Sequence, residues 1–433
     1  MTAAFVATTV LLGSVLLGSA FLGTAGLAAT SEGVTASAAR VTVTRLSGDP
    51  LAVDAWIGVA DGKLTMRTAT GPVSVPLADV VEISLGTEPD APHASAPESV
   101  ALDLWSGEEI RGQVVAGDEF GLTIRNPILG DVRVDVDAVA GLRFPHRLAQ
   151  LAEPPDFDAA DDADIVHLVG GDRIDCTLAA FGVNSLTCST SSSDEVSVSY
   201  TKVTAVRLMP TGAKVPKGAA LLAVLRDGSR LSGSAPTIRD GKLHLDSLSG
   251  FAASAALGDV VSVLMISDAF RYLDELPGPD VKVKPFWKPV AGDPDKIYAP
   301  RMNRAFSGGL LKAGGRTWLR GVGVFSGTSL TWSLDGAWTA FRTQVAVDDR
   351  AGPLGGVVFV IEVDGKERWR SALVIPASED GGKDETVQSG PIQVPSIDVK
   401  GAQTLTLRVL PGTDRAPYPI QDEADWLGAM LVR

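Results

Sequence analysis

Few residues in this chain are of a type and spacing that could make or break bonds. It has four histidines, His93, His146, His167 and His244. The first two lie in linker-like stretches, and the last two alternate with apolar residues as strand positions do. A nucleophile–histidine–carboxylate set is hard to build from them. The G-x-S-x-G, HExxH, P-loop and GxGxxG patterns are all missing. Asp and Glu number 52, yet none stands in a recognisable two-carboxylate setting. The chain therefore reads as no enzyme. Asp348-Asp349, followed by Arg350-Ala351-Gly352, reads first as a turn whose carboxylates cap backbone N–H groups. The alternative is one side of a calcium site, but calcium needs six or more oxygens and no EF-hand spacing supports one. No cofactor or metal is expected.

Cys176 and Cys188 are the only cysteines, six residues to either side of Gly182. In a hairpin folded about that glycine they would face each other across two strands, a geometry suited to a disulfide. The alternative is two buried thiols on one core face. With no CxxC present, the pair argues against zinc.

These groups need a scaffold, and composition bounds it. Lys and Arg number 38 against 52 acids, a net charge of −14, and 45% of the 433 residues are hydrophobic. That is ample for several cores. So acidic a surface repels phosphate backbones, which excludes nucleic acid as a natural partner. No charged side chain occurs before Glu32, and Ala36-Ser37-Ala38 is a small-x-small pattern suited to signal peptidase. Residues 1–38 read as a signal peptide, or as a retained N-terminal anchor because the apolar run is long. The missing basic residues ahead of the run are the departure from a usual signal. Either reading exports the rest, to a secreted, periplasmic or cell-envelope location, with membrane contact only through an uncleaved segment.

The strongest internal pattern is a repeat of about 45 residues. Ala101 to Gly112 leads into Gly121–Ile124 and Val132–Val136. Val166 to Cys176 leads into Ser185–Cys188 and Val196–Tyr200, and Leu222 to Gly233 into Lys242–Leu245 and Val260–Leu264. A weaker copy runs from Val41 through Ile83. Each shows alternating short strands with a Gly-Asp, Asp-Gly or Ser-Gly turn after the first. The boundaries read as 41–86, 99–144, 165–208 and 220–267, joined by Pro- and acid-rich linkers. Such units are expected to curl into small SH3- or Sm-like barrels and to pack in pairs, since one alone has a thin core. Cys176 aligns with Gly112 and Gly233, and Cys188 with Ile124 and Leu245.

The last third, 270–433, changes character. Six of eight tryptophans fall there: Trp287, Trp318, Trp332, Trp338, Trp369 and Trp426. Strand-like runs follow one another at Leu330–Leu334, Ala340–Val347, Gly356–Val363, Arg368–Val374, Ile392–Val394 and Thr404–Val409. Asp364-Gly365-Lys366 forms a hairpin turn. No helical period intervenes, so a two-sheet antiparallel sandwich is expected and the fold class is all-β.

Within this region Arg320-Gly-Val-Gly-Val-Phe-Ser326 resembles the "KGLGVHS" core of the NPCBM/NEW2 family. Ser307 to Trp318 resembles that family's entry strand, Leu330 to Asp335 its "xxYDL" strand, and Phe341 to Asp349 its "F…VGVDD" segment. Val357 to Gly365 is similar to its "VxFxVxxDG" hairpin, and Ala424-Asp-Trp-Leu-Gly-Ala-Met-Leu431 to its closing "ADWxxA" strand. The likeness runs from about Tyr272 to Arg433. It implies a galactose-binding-like jelly roll and a role in holding glycans. Phe325 stands where the family motif usually has histidine, which shifts specificity or marks a module kept only as structure.

A sugar ring offers an apolar C–H face and a rim of hydroxyls, so its site wants an exposed aromatic beside fixed polar groups. Trp287, Trp318 and Trp426 are the aromatic candidates, with Phe325 at the motif position. Asn303, Arg304, Asp348, Asp349, Arg350 and Asp425 are the polar ones. Trp332 and Trp338 are assigned to the core. The resulting expectation is a glycan-binding, non-catalytic exported protein whose repeats serve as spacer or interaction platform. The alternatives are a structural envelope component that binds another envelope protein, with a degenerate sugar module, and an accessory subunit localising a separate hydrolase.

Overall fold

Alternation of apolar and polar residues makes nearly every element a strand. The computed structural model describes residues 41–433 apart from 49, 61, 90–97, 149–162, 191–194, 211–220, 285, 287–292, 377–386 and 413–418. The region read as signal or anchor, and Trp287, lie outside the described residues. The α-helices described are two four-residue turns, Pro145–Leu148 and Pro294–Ile297, so no described helix is long and apolar enough to cross a membrane.

The four repeats share one plan. In the second, Val100–Leu104, Glu109–Gly117, Gly121–Asn126 and Gly130–Asp135 pair in succession. The 3-10 turn Val136–Ala138 then delivers Val139–Arg143 back onto the first strand. Val132 and Val134 are buried while Arg133 and Asp135 between them are exposed, the period-two pattern of a half-buried strand. The third and fourth copies follow the same order, and the first splits its second strand into Leu51–Val53 and Ala55–Ala60. Gly112 keeps its residue type because a Cβ there would sit 2.2 Å from the Arg125 carbonyl oxygen.

Repeats 2 to 4 and the strands Val41–Arg45, Leu51–Val53 and Val80–Ser84 of repeat 1 join into one 18-stranded hydrogen-bonded system, while Ala55–Ala60, Lys63–Thr68 and Gly71–Pro76 form a three-stranded sheet; small barrels packed in pairs were expected. The pairing of the repeats is nested. The closing strands of repeats 2 and 3 pair antiparallel with Leu142 opposite Val206. Those of repeats 1 and 4, Val80–Ser84 and Val260–Met265, pair with Ile83 opposite Val263. In both cases the fourth residue of one closing strand faces the fourth of the other, an internal two-fold relation used twice. Repeats 2 and 4 meet through their first turns. Glu108 enters repeat 4, where its buried carboxylate accepts from Ser232 N (3.0 Å), Ser247 Oγ (2.8 Å) and Ser249 Oγ (2.6 Å). In return Asp227 and Ser229 reach Asn126 at 2.6 and 3.0 Å. The spatial order along the row is repeat 3, 2, 4, 1.

The cysteine register differs from expectation. Cys188 lies opposite Leu178, because the strand pair shifts by a bulge between Leu178 and Ala180 and the turn centres beyond Gly182. Cys176 and Cys188 are buried free thiols in contact, and burial followed by the neighbouring Cys188 pushes the Cys176 thiol up.

From Phe270 onward two sheets face each other. The front sheet orders Arg301–Met302, Gly321–Phe325, Glu423–Val432, Ala340–Val347 and Ile392–Gln393, with Phe270–Tyr272 also on the Glu423–Val432 strand. The back sheet orders Asp280–Val283, Thr328–Ser333, Thr404–Pro411, Val357–Val363, Leu373–Ile375 and Val387–Ser389. Asp364 and Gly365 have φ of 49° and 71°, the two positive values that a tight type I′ hairpin requires. Between the sheets lie Val322, Val324, Trp332, Trp338, Phe359 and Trp426, among others. The sandwich is fixed to repeat 1 by Arg342, which donates to the carbonyls of Arg45 (2.6 Å), Leu46 and Gly48 (2.8 Å), and by an apolar cluster of Val81, Leu264, Phe270, Tyr272 and Met430.

Candidate functional site

The site is built on the outer face of the front sheet. Val322 and Val324 point into the core, so Gly321, Gly323 and Phe325 point outward. On the neighbouring strand Ala424 and Trp426 point inward, which turns Glu423, Asp425 and Leu427 outward beside them. A flap of residues 303–318 lies across this face. Its hairpin, Leu311–Ala313 with Arg316–Trp318, buries Leu311, Ala313 and Trp318 against Ala346 and Leu427. The two motif glycines permit that contact. A Cβ on Gly323 would lie 2.3 Å from the Arg304 carbonyl oxygen, and one on Gly321 would lie 2.8 Å from the Leu311 side chain.

Most of the polar candidates hold this flap. Asp348 is fully buried and accepts from Lys312 N at 3.1 Å, Arg350 N at 2.9 Å, and Arg350 Nε and Nη2 at 2.9 and 3.0 Å. Arg350 also donates to the carbonyls of Gly308 (2.7 Å) and Leu310 (2.5 Å). Asp349 caps the hairpin turn, accepting from Gly314 N at 2.9 Å and Gly315 N at 2.8 Å. Asn303, in the left-handed region at φ 56°, donates to Asp274 at 2.7 Å and accepts from Gly321 N at 3.0 Å. Burial works to raise the Asp348 carboxyl, but the hydrogen bonds from Arg350 and Lys312 outweigh it and hold the group below the usual carboxylate range. Asp425 goes the other way. Burial first, then the Asp348 charge, push it well above the usual range, and neither of its buried oxygens receives a hydrogen bond. A carboxyl raised in this way, lying against Asp348, is placed to donate to that neighbour when it carries a proton.

These placements correct the expected ligand set. Asp348 and Asp425 are sealed under the flap, and Asp349, Arg350 and Asn303 are engaged in shaping it. Trp426 is fully buried, edge-on to Phe359 at 5.0 Å between ring centres, because strand alternation points it into the core. Trp318, on the flap itself, is buried against Ala346 and Leu427. None of these offers a platform to solvent. No group of three or more His, Cys, Asp or Glu is placed to hold a metal among the described residues.

Phe325 and Arg304 remain at the surface. Phe325 packs with two rings the sequence reading passed over. Phe306 lies 5.2 Å from it and Tyr298 5.7 Å, while Tyr298 and Phe306 stack 6.2 Å apart at 14°. All three are half-buried. Glu423 faces Phe325 across the sheet and accepts from Ser307 N at 3.2 Å. Arg304 is exposed and makes no side-chain hydrogen bond or ion pair with a described residue. The result is an aromatic ledge with the Arg304 guanidinium, unpaired among the described residues, and the Glu423 carboxylate beside it. Tyr298 and Phe306, eight residues apart in a loop, fit no strand or helix period, and only the flap brings them to Phe325.

No curated protein matches this chain. Among solved structures it is similar to CBM51 from Clostridium perfringens GH95 in complex with methyl-galactose. That likeness has 21% identity, covers 38% of this chain and 99% of that one, and has a TM-score of 0.28. It is also similar to CBM51-2 in complex with GlcNAc and INT domains from Clostridium perfringens ZmpB, at 14% identity, covering 57% of this chain and 43% of that one, with a TM-score of 0.29. The sequence of residues 289–432 matches the family model described as NPCBM/NEW2 domain, and the C-terminal third of the chain is identified as a domain of that family.

Proposed function

We propose that the sandwich binds a saccharide on the ledge formed by Tyr298, Phe306 and Phe325, and that the protein is a non-catalytic glycan-binding component. The single observation that carries this reading is the three half-buried rings, brought together at the surface of an NPCBM/NEW2 domain. Their faces suit sugar C–H groups, while Arg304 and Glu423 can meet hydroxyls. Trp287, an aromatic candidate of the sequence reading, lies outside the described residues. The repeats act as spacer or interaction platform. Their reading as SH3- or Sm-like units is supported by the five-strand order and by the 3-10 turn before each closing strand. Export to the cell envelope or beyond is supported by the uncharged start of the sequence.

A structural, protein-binding role is the second reading, favoured by the way Arg342 and the Phe270–Tyr272 cluster join the sandwich to repeat 1. The test is a glycan array probed with the full chain, with Phe325→Ala and Tyr298→Ala beside it. Retention of one saccharide class, weakened more than about tenfold in either variant at unchanged melting temperature, is the expected result. A blank array from a folded chain moves the assignment to the structural reading.

A further inference from the structure

The ledge lies in a segment whose charge runs against the rest of the protein. From Lys296 to Leu310 there are three cations, Lys296, Arg301 and Arg304, and no acid, in a chain with 52 acids to 38 bases. All three side chains are exposed, and none has a hydrogen bond or ion pair with a described residue. That contrasts with Arg316, Arg320, Arg342 and Arg350 of the same sandwich, each engaged by a carboxylate or by backbone carbonyls. The three cations also lie close to the rings along the chain or across the sheet. Lys296 stands two residues before Tyr298, and Arg304 two before Phe306. Arg301 lies opposite Gly323, on the same outer face as Phe325. Of the acids near this segment, Asp293 and Asp295 stand just ahead of Lys296, Asp274 takes the Asn303 amide, and Glu423 takes the Ser307 N–H.

We infer that the saccharide held at the ledge is anionic, carrying a carboxylate or sulfate that Arg301 and Arg304 engage while the ring stacks on the aromatic side chains. The inference rests on the saccharide reading above. A guanidinium presents paired N–H donors that match a carboxylate or sulfate, and a neutral sugar would leave two such forks without their best partner. In a protein of net charge −14 an anion is repelled over most of the surface, so an unpaired basic patch beside an apolar ledge both attracts and orients it.

The experiment is a glycan array of neutral, uronic-acid and sulfated saccharides. It is followed by titration calorimetry on galacturonate oligomers, a sulfated galactose oligomer and their neutral galactose counterpart, using the full chain. Arg301→Gln/Arg304→Gln and Phe325→Ala serve as variants. The expected result is preference for at least one acidic ligand by about tenfold at low salt, shrinking at high salt and abolished in the double arginine variant. Whether uronate or sulfate is preferred identifies the anion. Equal retention of neutral ligands, untouched by the arginine changes but lost in Phe325→Ala, overturns the charge assignment and leaves saccharide binding standing. A folded chain that retains no glycan overturns both.

Discussion

Replacing Asp348 by alanine separates a flap anchor from a ligand group. The carboxylate is fully buried, and its loss leaves the backbone N–H groups of Lys312 and Arg350 without acceptors. Each orphaned donor costs about 1–1.5 kcal/mol. The Arg350 side chain is 36% exposed, so its freed guanidinium rehydrates and the ion pair adds only about 0.5 kcal/mol. Together these come to roughly 3 kcal/mol, borne by the flap because the lost bonds tie Lys312 and Arg350 to each other. Hydrogen exchange of the full chain should therefore show the amides of Leu311–Ala313 and Arg316–Trp318 exchanging about a hundredfold faster, with the back sheet unchanged. Unchanged exchange in those strands, together with lost glycan retention, would refute the anchor assignment and return Asp348 to the ligand set.

The acid pair predicts a pH dependence. The folded-state pKa of Asp425 is raised by burial and then by the Asp348 charge, so the native protein holds a proton that the unfolded chain releases. Its contribution to stability is full below the unfolded carboxylate value, about 4, and is lost as pH rises toward the folded value, with a slope of up to about 1.4 kcal/mol per pH unit. Urea denaturation between pH 4.5 and 7 should show this slope in the native protein and a flatter profile in Asp425→Asn; equal slopes would place the proton elsewhere. In the repeats, Glu108→Ala should cost about 2–4 kcal/mol, since it strips the acceptor from the Ser232 N–H and from the Ser247 and Ser249 hydroxyls of repeat 4. A loss below about 0.5 kcal/mol by urea denaturation would mean that the exchanged turns do not hold repeats 2 and 4 together.

Much of the fold could be read locally. Ala340–Val347 was placed to the residue, and the Asp364-Gly365 turn has the backbone its sequence demands, because period-two burial and turn chemistry act within a few residues. That Asp348 and Asp349 cap backbone N–H groups was legible in the sequence, but which backbone they cap was not. Asp348, Asp349 and Asp425 stood out as conspicuous polar groups near strand ends, and nothing along the chain said that a flap would bury two of them and hang from the third. Trp426 was open to either face until the register with Val322 set it inward.

What the sequence alone determined was therefore the all-β character, the sandwich and its NPCBM/NEW2 likeness, each a matter of short-range pattern. Tertiary structure alone decided the nested pairing of the repeats, the bulge that set Cys188 opposite Leu178, and the meeting of Tyr298, Phe306 and Phe325. Those depend on which distant edges and faces meet across tens to hundreds of residues, and local periodicity carries no term for that choice.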